Sequence, residues 1–350
     1  MSENKIRVGI IGCGGIAASH VSGYLKSGMA EVVAFSDNRV ERAKALAEKS
    51  GLPKARLYED YEDLLKDKNV DAVSICTPHY LHAEMTVKAA EYKKHILCEK
   101  PIAISLKQAD EMIGACRRNG VKLAVVFQNR FSSDVQRVKR EFEKGDFGIP
   151  IYGEAVVKWY REDKAYYHVD EVAKSWRGKW STEGGGVLIN QTIHSVDLLQ
   201  WIMGPVECLY GIYDTKMHNI EAEDIAASIL KFKSGAIGFI LGSVNLRPQE
   251  DWIAIYGSKK SVIIGSDKKV TREWDVERGT VARKEYVGER EETVTPFIGH
   301  DGVIRDFLES ILEDRLPAVP GEEARKSLEI VLAIYKAHRT GSKVTLPLVE

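Results

Sequence analysis

The spacing of apolar side chains changes character near residue 128. Before that point the apolar positions come as short runs at 7–11, 31–36, 56–58, 72–76, 96–98 and 123–127, separated by stretches of helical spacing that begin at Ile16, Tyr61, His82 and Leu106. Runs that are apolar throughout and alternate with helices predict strands covered on both faces, and hence a parallel, doubly wound sheet. After a helical connector at 133–144 the period shortens to two: Ala155, Val157 and Trp159 alternate with polar neighbours in 152–160, and strand-like runs follow at 209–216, 225–232, 236–243, 251–256 and 261–264. Ser234-Gly235 reads as a hairpin turn between two of these. Such alternation buries one face of a sheet and leaves the other open to pair with a second subunit. Amphipathic helices are predicted at 301–312 and 322–338. The expected division is 1–128 and 129–350.

One stretch departs from both patterns. Residues 182–204 read TEGGGVLINQTIHSVDLLQWIMG. After Gly184, Gly185 and Gly186, helical spacing sets Asn190, His194, Asp197 and Trp201 on one side, because residues three or four apart share a face. Leu188, Ile189, Val196, Leu198, Leu199 and Ile202 fill the rest, so the helix is apolar around nearly its whole circumference and is predicted to be buried. A buried polar stripe needs partners, and histidine is the side chain best placed to exchange a proton near neutral pH. Taken alone, His194 would be a core histidine satisfied by its neighbours. Asp197 either holds its tautomer or belongs to a separate buried polar cluster.

At 350 residues the chain exceeds what one hydrophobic core usually serves, which agrees with two domains. Its 50 basic side chains against 51 acidic ones give no electrostatic case for nucleic acid or an anionic membrane. Five cysteines, an odd number without a C-x-x-C pair, suit the reduced thiols of a cytoplasmic protein. Lys5 and Arg7 before an apolar run mimic a signal peptide, but Gly12, Gly14 and Gly15 interrupt that run, and no later one reaches the length of a membrane span.

The chemistry collects where the predicted parallel strands end, the edge at which doubly wound sheets bind ligands. Gly12-x-Gly14-x-x-Ala17 joins the first strand to the first helix, a turn that lets a pyrophosphate approach the backbone at a helix N-terminus. The second strand ends in Asp37, whose carboxylate can bind both hydroxyls of an adenosine ribose and repels a 2′-phosphate, so NAD is expected, with NADP as the alternative because Arg39 stands nearby. Further ends carry Thr77-Pro78, Glu99-Lys100-Pro101 and Gln128-Asn129-Arg130. Lys100, at this edge and fixed by the following proline, is the candidate cation for a substrate hydroxyl. His79 and His82 have H-x-x-H spacing, yet no cysteine or carboxylate cluster accompanies them, and no metal is expected. The loop at 162–180 is rich in aromatic residues, among them Tyr166, Tyr167, Trp176 and Trp180. It is either a sugar-stacking surface or a loop anchored by its own bulk.

Together, the glycine turn, Asp37, Thr77-Pro78-x-x-x-His82, Glu99-Lys100-Pro101 and the Gly-Gly-Gly…Asn190-x-Thr192-x-His194-x-x-Asp197 helix resemble the Gfo/Idh/MocA family of NAD(P)-dependent sugar and polyol oxidoreductases. The resemblance runs through nearly the whole chain. It implies an N-terminal Rossmann domain followed by an α/β domain with a large, mostly antiparallel sheet, assembled as a homo-dimer or homo-tetramer. Carried over position by position, Lys100 and His194 match the catalytic pair, Lys100 binding the reacting oxygen and His194 acting as base, with Asn190 where many relatives have aspartate. Gly12, Gly14, Gly15, Ile16 and Asp37 match the dinucleotide turn and the ribose ligand. Thr77, Pro78, His82, Glu99 and Lys100 match positions around the nicotinamide half, Asn129 and Trp176-Arg177 match positions that approach the cofactor in some branches, and His300 falls over the site. Asn190 cannot act as a base and removes one negative charge, which favours an anionic substrate such as a uronate or nucleotide sugar over a neutral sugar or inositol. An NAD-assisted glycosidase and a non-catalytic NAD-binding regulator are the competing expectations, and the lysine–histidine pair argues against the regulator.

Overall fold

In a computed structural model, which describes residues 5–276 and 299–349, the chain forms two units: one of residues 5–128 and 299–325, the other of 129–276 and 326–349. The first holds six strands, β1 (Ile6–Ile11), β2 (Ala30–Ser36), β3 (Arg56–Tyr58), β4 (Ala72–Ile75), β5 (His95–Cys98) and β6 (Leu123–Val125), in the order β3-β2-β1-β4-β5-β6. All five pairings are parallel. Val8, Ile10, Val73, Ile75 and Leu97 are fully buried, as strands covered on both faces require. The strand order reverses at β1, so the crevice at its carboxyl end is the topological switch point of a Rossmann sheet.

Residues 299–325, expected with the second half, fold with the first unit instead. The helix Gly299–Leu312 packs on the helix Ala17–Ser27 so closely that a Cβ on Gly23 would lie 2.4 Å from Ile304 Cδ1. Farther on, Val125 donates its N–H to Val319 O at 3.0 Å and Ala124 bridges Pro320, so this segment also covers the β6 edge of the sheet.

The second unit is built on eight strands, β7 (Pro150–Tyr160), β8 (Val206–Asp214), β9 (Ile225–Phe232), β10 (Ile237–Ser243), β11 (Asn245–Gly257), β12 (Lys260–Ile264), β13 (Val270–Asp275) and β14 (Val344–Thr345). Their order is β13-β12-β11-β7-β10-β9-β8-β14, and among the described residues the β7–β10 pair alone is parallel. The covered face takes Ala155, Val157, Leu230, Phe232 and Ile240, and the helix Ile193–Met203 lies against it. Gly153 makes room there, since a Cβ would sit 3.0 Å from Leu199 Cδ1 and 3.2 Å from Met203 Cε. On the opposite face Tyr210, Ile212, Ile229 and Ile237 stand 57%, 64%, 58% and 47% exposed, in one patch because Tyr210 pairs directly with Ile229. Residues 162–180, which have no legible period, form two short helices, Asp163–Tyr166 and Glu171–Trp176. Among the described residues no helix is long and apolar enough to cross a membrane.

Candidate functional site

In the first unit, Gly12 follows β1 with φ +86, a conformation glycine adopts freely and other residues do not. A Cβ here would also lie 2.9 Å from the Cys76 carbonyl carbon. By contrast, a Cβ on Gly14 or Gly15 would meet nothing within 4 Å. The outer side of the turn is therefore open bare backbone at the start of a helix, the cradle a pyrophosphate needs. Asp37, just past β2, accepts from Cys13 N at 2.8 Å through Oδ2 and from Arg39 N at 2.9 Å through Oδ1, which pins its carboxylate beside that turn. These residues fit an adenine dinucleotide.

His82 is buried, with Nε2 2.9 Å from Thr77 O and Nδ1 2.8 Å from Pro101 O, so it ties the end of β4 to the Lys100-Pro101 segment. Each ring nitrogen thus faces a main-chain oxygen, and the neutral ring donates its one N–H to one of the two. Burial pushes its pKa down, against the pull of the two carbonyls and of Glu99. His79 lies beside it, ring centroids 5.9 Å apart.

Behind Lys100 runs a buried hydrogen-bond chain that the sequence reading did not single out. Tyr24 OH is 2.7 Å from Ser74 Oγ, Ser74 Oγ 3.0 Å from His20 Nδ1, and His20 Nε2 3.0 Å from Glu99 Oε1. The Lys100 N–H donates to Glu99 Oε2 at 3.1 Å, and His300 Nε2 stands 3.6 Å from Oε1. Burial raises the Glu99 pKa, but hydrogen bonds from His20 and His300 and the charge of Lys100 outweigh it and hold the carboxyl well below its usual range. The available signal was the buried stripe Ala17, His20, Val21 and Tyr24, at helical spacing and with a polar group inside it. The ligand atoms of His20, Glu99 and His300 lie within 4.8 Å of one another, a set with the composition to hold a metal ion, although His20 and Glu99 are already engaged by the chain just described.

In the second unit the glycine run has a steric cause. A Cβ on Gly186 would lie 1.9 Å from Glu223 O, and one on Gly185 2.1 Å from Tyr335 OH. Glu223 accepts from Gly186 N at 2.8 Å, Leu188 N at 2.9 Å and Tyr335 OH at 2.8 Å, and burial pushes its carboxyl up to about 7 in spite of them. The next residues are a π-helical turn, Leu188–Thr192, before the α-helix Ile193–Met203. The single polar stripe expected over 190–201 is divided between two sets of partners. Asp197 forms a two-pronged pair with Arg130, 2.7 Å to both Nε and Nη2, and accepts from Ser327 Oγ at 2.8 Å, while the Arg130 guanidinium lies 4.9 Å over the Trp201 ring. That decides the role of Asp197: it belongs to a buried ionic cluster.

Asn190 instead turns its Nδ2 to Tyr166 OH at 3.0 Å and to Glu183 Oε1. Glu183, which the sequence reading also missed, accepts from Gly178 N as well, and burial raises its carboxyl to about 7 against those two bonds. Arg177 donates to Tyr166 O at 2.7 Å, with its guanidinium 4.3 Å over the Tyr166 ring and 5.4 Å over Trp176. Tyr166 also meets Tyr167 edge-on at 4.9 Å, so the aromatic loop is anchored by its own bulk. Within the described residues 183–200, His194 alone is not buried.

Residues 6–127 match the Gfo/Idh/MocA family model described as an oxidoreductase family with an NAD-binding Rossmann fold, and residues 139–346 match that family's C-terminal alpha/beta domain. The myo-inositol 2-dehydrogenase of Thermotoga maritima is 29% identical over 344 residues, 95% of this chain and 96% of that protein. A 1,5-anhydro-D-fructose reductase from Ensifer adhaerens is 29% identical over 337 residues, 96% and 97% of the two chains. The crystal structure of the WlbA dehydrogenase from Bordetella pertussis, in complex with NADH and UDP-GlcNAcA, superposes with a TM-score of 0.86 at 33% identity, covering 99% of this chain and 100% of that one.

Proposed function

The chain belongs to the Gfo/Idh/MocA family of NAD-binding oxidoreductases, and from that premise we propose that it moves a hydride between the nicotinamide and a carbinol carbon of an anionic sugar derivative, a uronate or nucleotide sugar. The observation that carries this reading is the partial exposure of His194 in an otherwise buried run, since a proton-transferring group has to reach substrate while its neighbours do not. When bound, NAD supplies the hydride acceptor. The chain's own residues do the rest. The Gly12, Gly14, Gly15 and Ile16 turn and Asp37 hold the pyrophosphate and adenosine ribose, and Thr77, Pro78, His82, Glu99, Asn129, Trp176 and Arg177 are assigned to the nicotinamide half. His194 takes the hydroxyl proton, the Lys100 ammonium steadies the reacting oxygen as charge develops, and Asn190 orients the sugar. The preference for an anion is supported by the neutral amide at 190 and by the WlbA relative crystallised with UDP-GlcNAcA.

The test is a panel of aldoses, inositols, uronates and nucleotide sugars followed by NADH absorbance. An anionic sugar is expected to show the highest kcat/KM. A neutral polyol of equal efficiency would remove the anionic preference, and no NADH from any compound would overturn the dehydrogenase reading. Asp37→Ser is expected to move the NADP-to-NAD efficiency ratio upward by about tenfold or more, because it removes the charge that repels a 2′-phosphate. An unchanged ratio means that Asp37 does not choose the cofactor. The exposed apolar patch around Tyr210 and Ile229 is assigned to pairing with a second copy of the chain, with a dimer or tetramer mass expected from light scattering.

A further inference from the structure

The buried chain behind Lys100 has a direction. Glu99 is held ionised and can only accept, so the 3.0 Å contact between His20 Nε2 and Glu99 Oε1 places a ring proton on Nε2. Tyr24, fully buried, has Ser74 Oγ as the one partner of its hydroxyl among the described residues, and burial raises its pKa. Its hydroxyl therefore keeps its proton and donates it to Ser74. Ser74 Oγ accepts on that side and donates in turn to His20 Nδ1 at 3.0 Å. The reverse order would leave the Tyr24 proton buried with no acceptor. Every donor from Tyr24 onward thus runs toward one carboxylate, and each bond polarises the next. Because the chain ends blind at Tyr24 it conducts no proton. It holds Glu99 in place and charged.

Where that charge stands follows from the strand order. Asp37, past β2, takes the adenosine ribose and the Gly12 turn, past β1, the pyrophosphate, so the rest of the dinucleotide crosses the ends of β4 and β5. Glu99 is the first residue after β5. The oxidised nicotinamide ring carries a positive charge that the reduced ring, having accepted a hydride, lacks, and a protein charge nearby therefore acts on the two forms unequally. The Glu99 side chain is 9% exposed, so water and salt screen it weakly.

We propose that His20 is a positioning residue which, as the last donor of the Tyr24–Ser74–His20 chain, keeps the Glu99 carboxylate as a fixed negative charge beside the nicotinamide, where it favours the oxidised ring over the reduced one. The inference rests on the assignment of Glu99 to the nicotinamide half. His300, with Nε2 3.6 Å from Oε1, is a second nitrogen facing the carboxylate, and Lys100 adds a positive charge within electrostatic reach. Removing the carboxylate alone leaves that lysine charge uncompensated, which moves the preference further toward the reduced ring.

Equilibrium binding to the full chain, without sugar, tests this. NADH is titrated by its fluorescence, and NAD and ADP-ribose by its displacement. Glu99→Gln is expected to raise the Kd of NAD relative to that of NADH by about tenfold or more, while ADP-ribose, which lacks the nicotinamide, binds as it does to the wild type. His20→Leu removes the donor and is expected to raise the same ratio by about threefold or more. His20→Gln, whose amide nitrogen reaches about as far as imidazole Nε2, is expected to bring it back toward the wild-type value. A purely structural His20 would weaken both cofactors together and leave the ratio in place. If Glu99→Gln binds NAD and NADH as tightly as the wild type, the assignment of Glu99 to the nicotinamide half fails. If it weakens the two alike with ADP-ribose unaffected, that assignment stands and this inference fails. A wild-type ratio in His20→Leu, or a His20→Gln no better than His20→Leu, removes His20 from its role. In the wild type itself, 15N–1H correlations of the His20 ring at neutral pH are expected to show the Nε2–H tautomer, and a proton on Nδ1 overturns the direction of the chain.

Discussion

His194→Ala is expected to lower kcat by at least about a hundredfold while NADH affinity stays within about twofold of wild type, since a positioned general base contributes roughly a hundred- to ten-thousand-fold. Two features of the structure keep this result interpretable. The imidazole is partly exposed, so alanine leaves no sealed cavity in the core. It also sits in the first turn of the helix Ile193–Met203, where alanine is the residue that best preserves helical backbone. The variant should fold as the wild type does. Single-turnover absorbance with excess enzyme reads the chemical step, and fluorescence titration reads the cofactor. Turnover near the wild-type rate would remove His194 as the base and leave proton transfer to be assigned elsewhere.

Asp197→Ala should be the most damaging single change to stability, about 3–5 kcal/mol, because it takes the paired carboxylate away from a guanidinium that folding has taken out of water. The Arg130 and Asp197 side chains are 4% and 1% exposed, and the substitution removes both charge-assisted bonds together with the acceptor for Ser327. Replacing both partners with apolar residues of similar volume, Arg130→Met with Asp197→Leu, should recover most of that loss, as buried pairs seldom outperform good packing. Because the chain has two units, the quantity to follow is the unfolding transition of the second one, reported by the fluorescence of Trp201 against the guanidinium of Arg130, rather than a single global midpoint. A variant that unfolds with the wild type would show that the cluster contributes nothing.

Periodicity in the sequence records which side of an element is buried, and that is why so much of the architecture could be read from it. Residues 225–232 were expected to be a strand and are β9 to the residue, and the runs that became β1, β2, β4 and β5 were placed within one residue at each end. The glycine turn and Asp37 were legible because their chemistry is local in sequence. Polar partners are another matter, since nothing in a one-dimensional pattern says that Asp197 meets Arg130 across 67 residues, or that His20 meets Glu99 across 79. The π turn at Leu188–Thr192 is invisible for a related reason: it adds one residue to a helix without disturbing its apolar character. Glu183 was passed over because a lone carboxylate before a glycine run looks solvated until the fold closes over it. The short helices at Asp163–Tyr166 and Glu171–Trp176 span too little chain to display a period.

The return of residues 299–325 to the first unit bears on how the molecule can be made. During synthesis the ribosome releases the six parallel strands before it has translated the helix that seats against Gly23 or the segment that covers Val125. A nascent Rossmann sheet therefore waits, with one helix face and one strand edge bare, until residues 299–325 have been translated, and the usual order in which an N-terminal domain matures first does not apply to it.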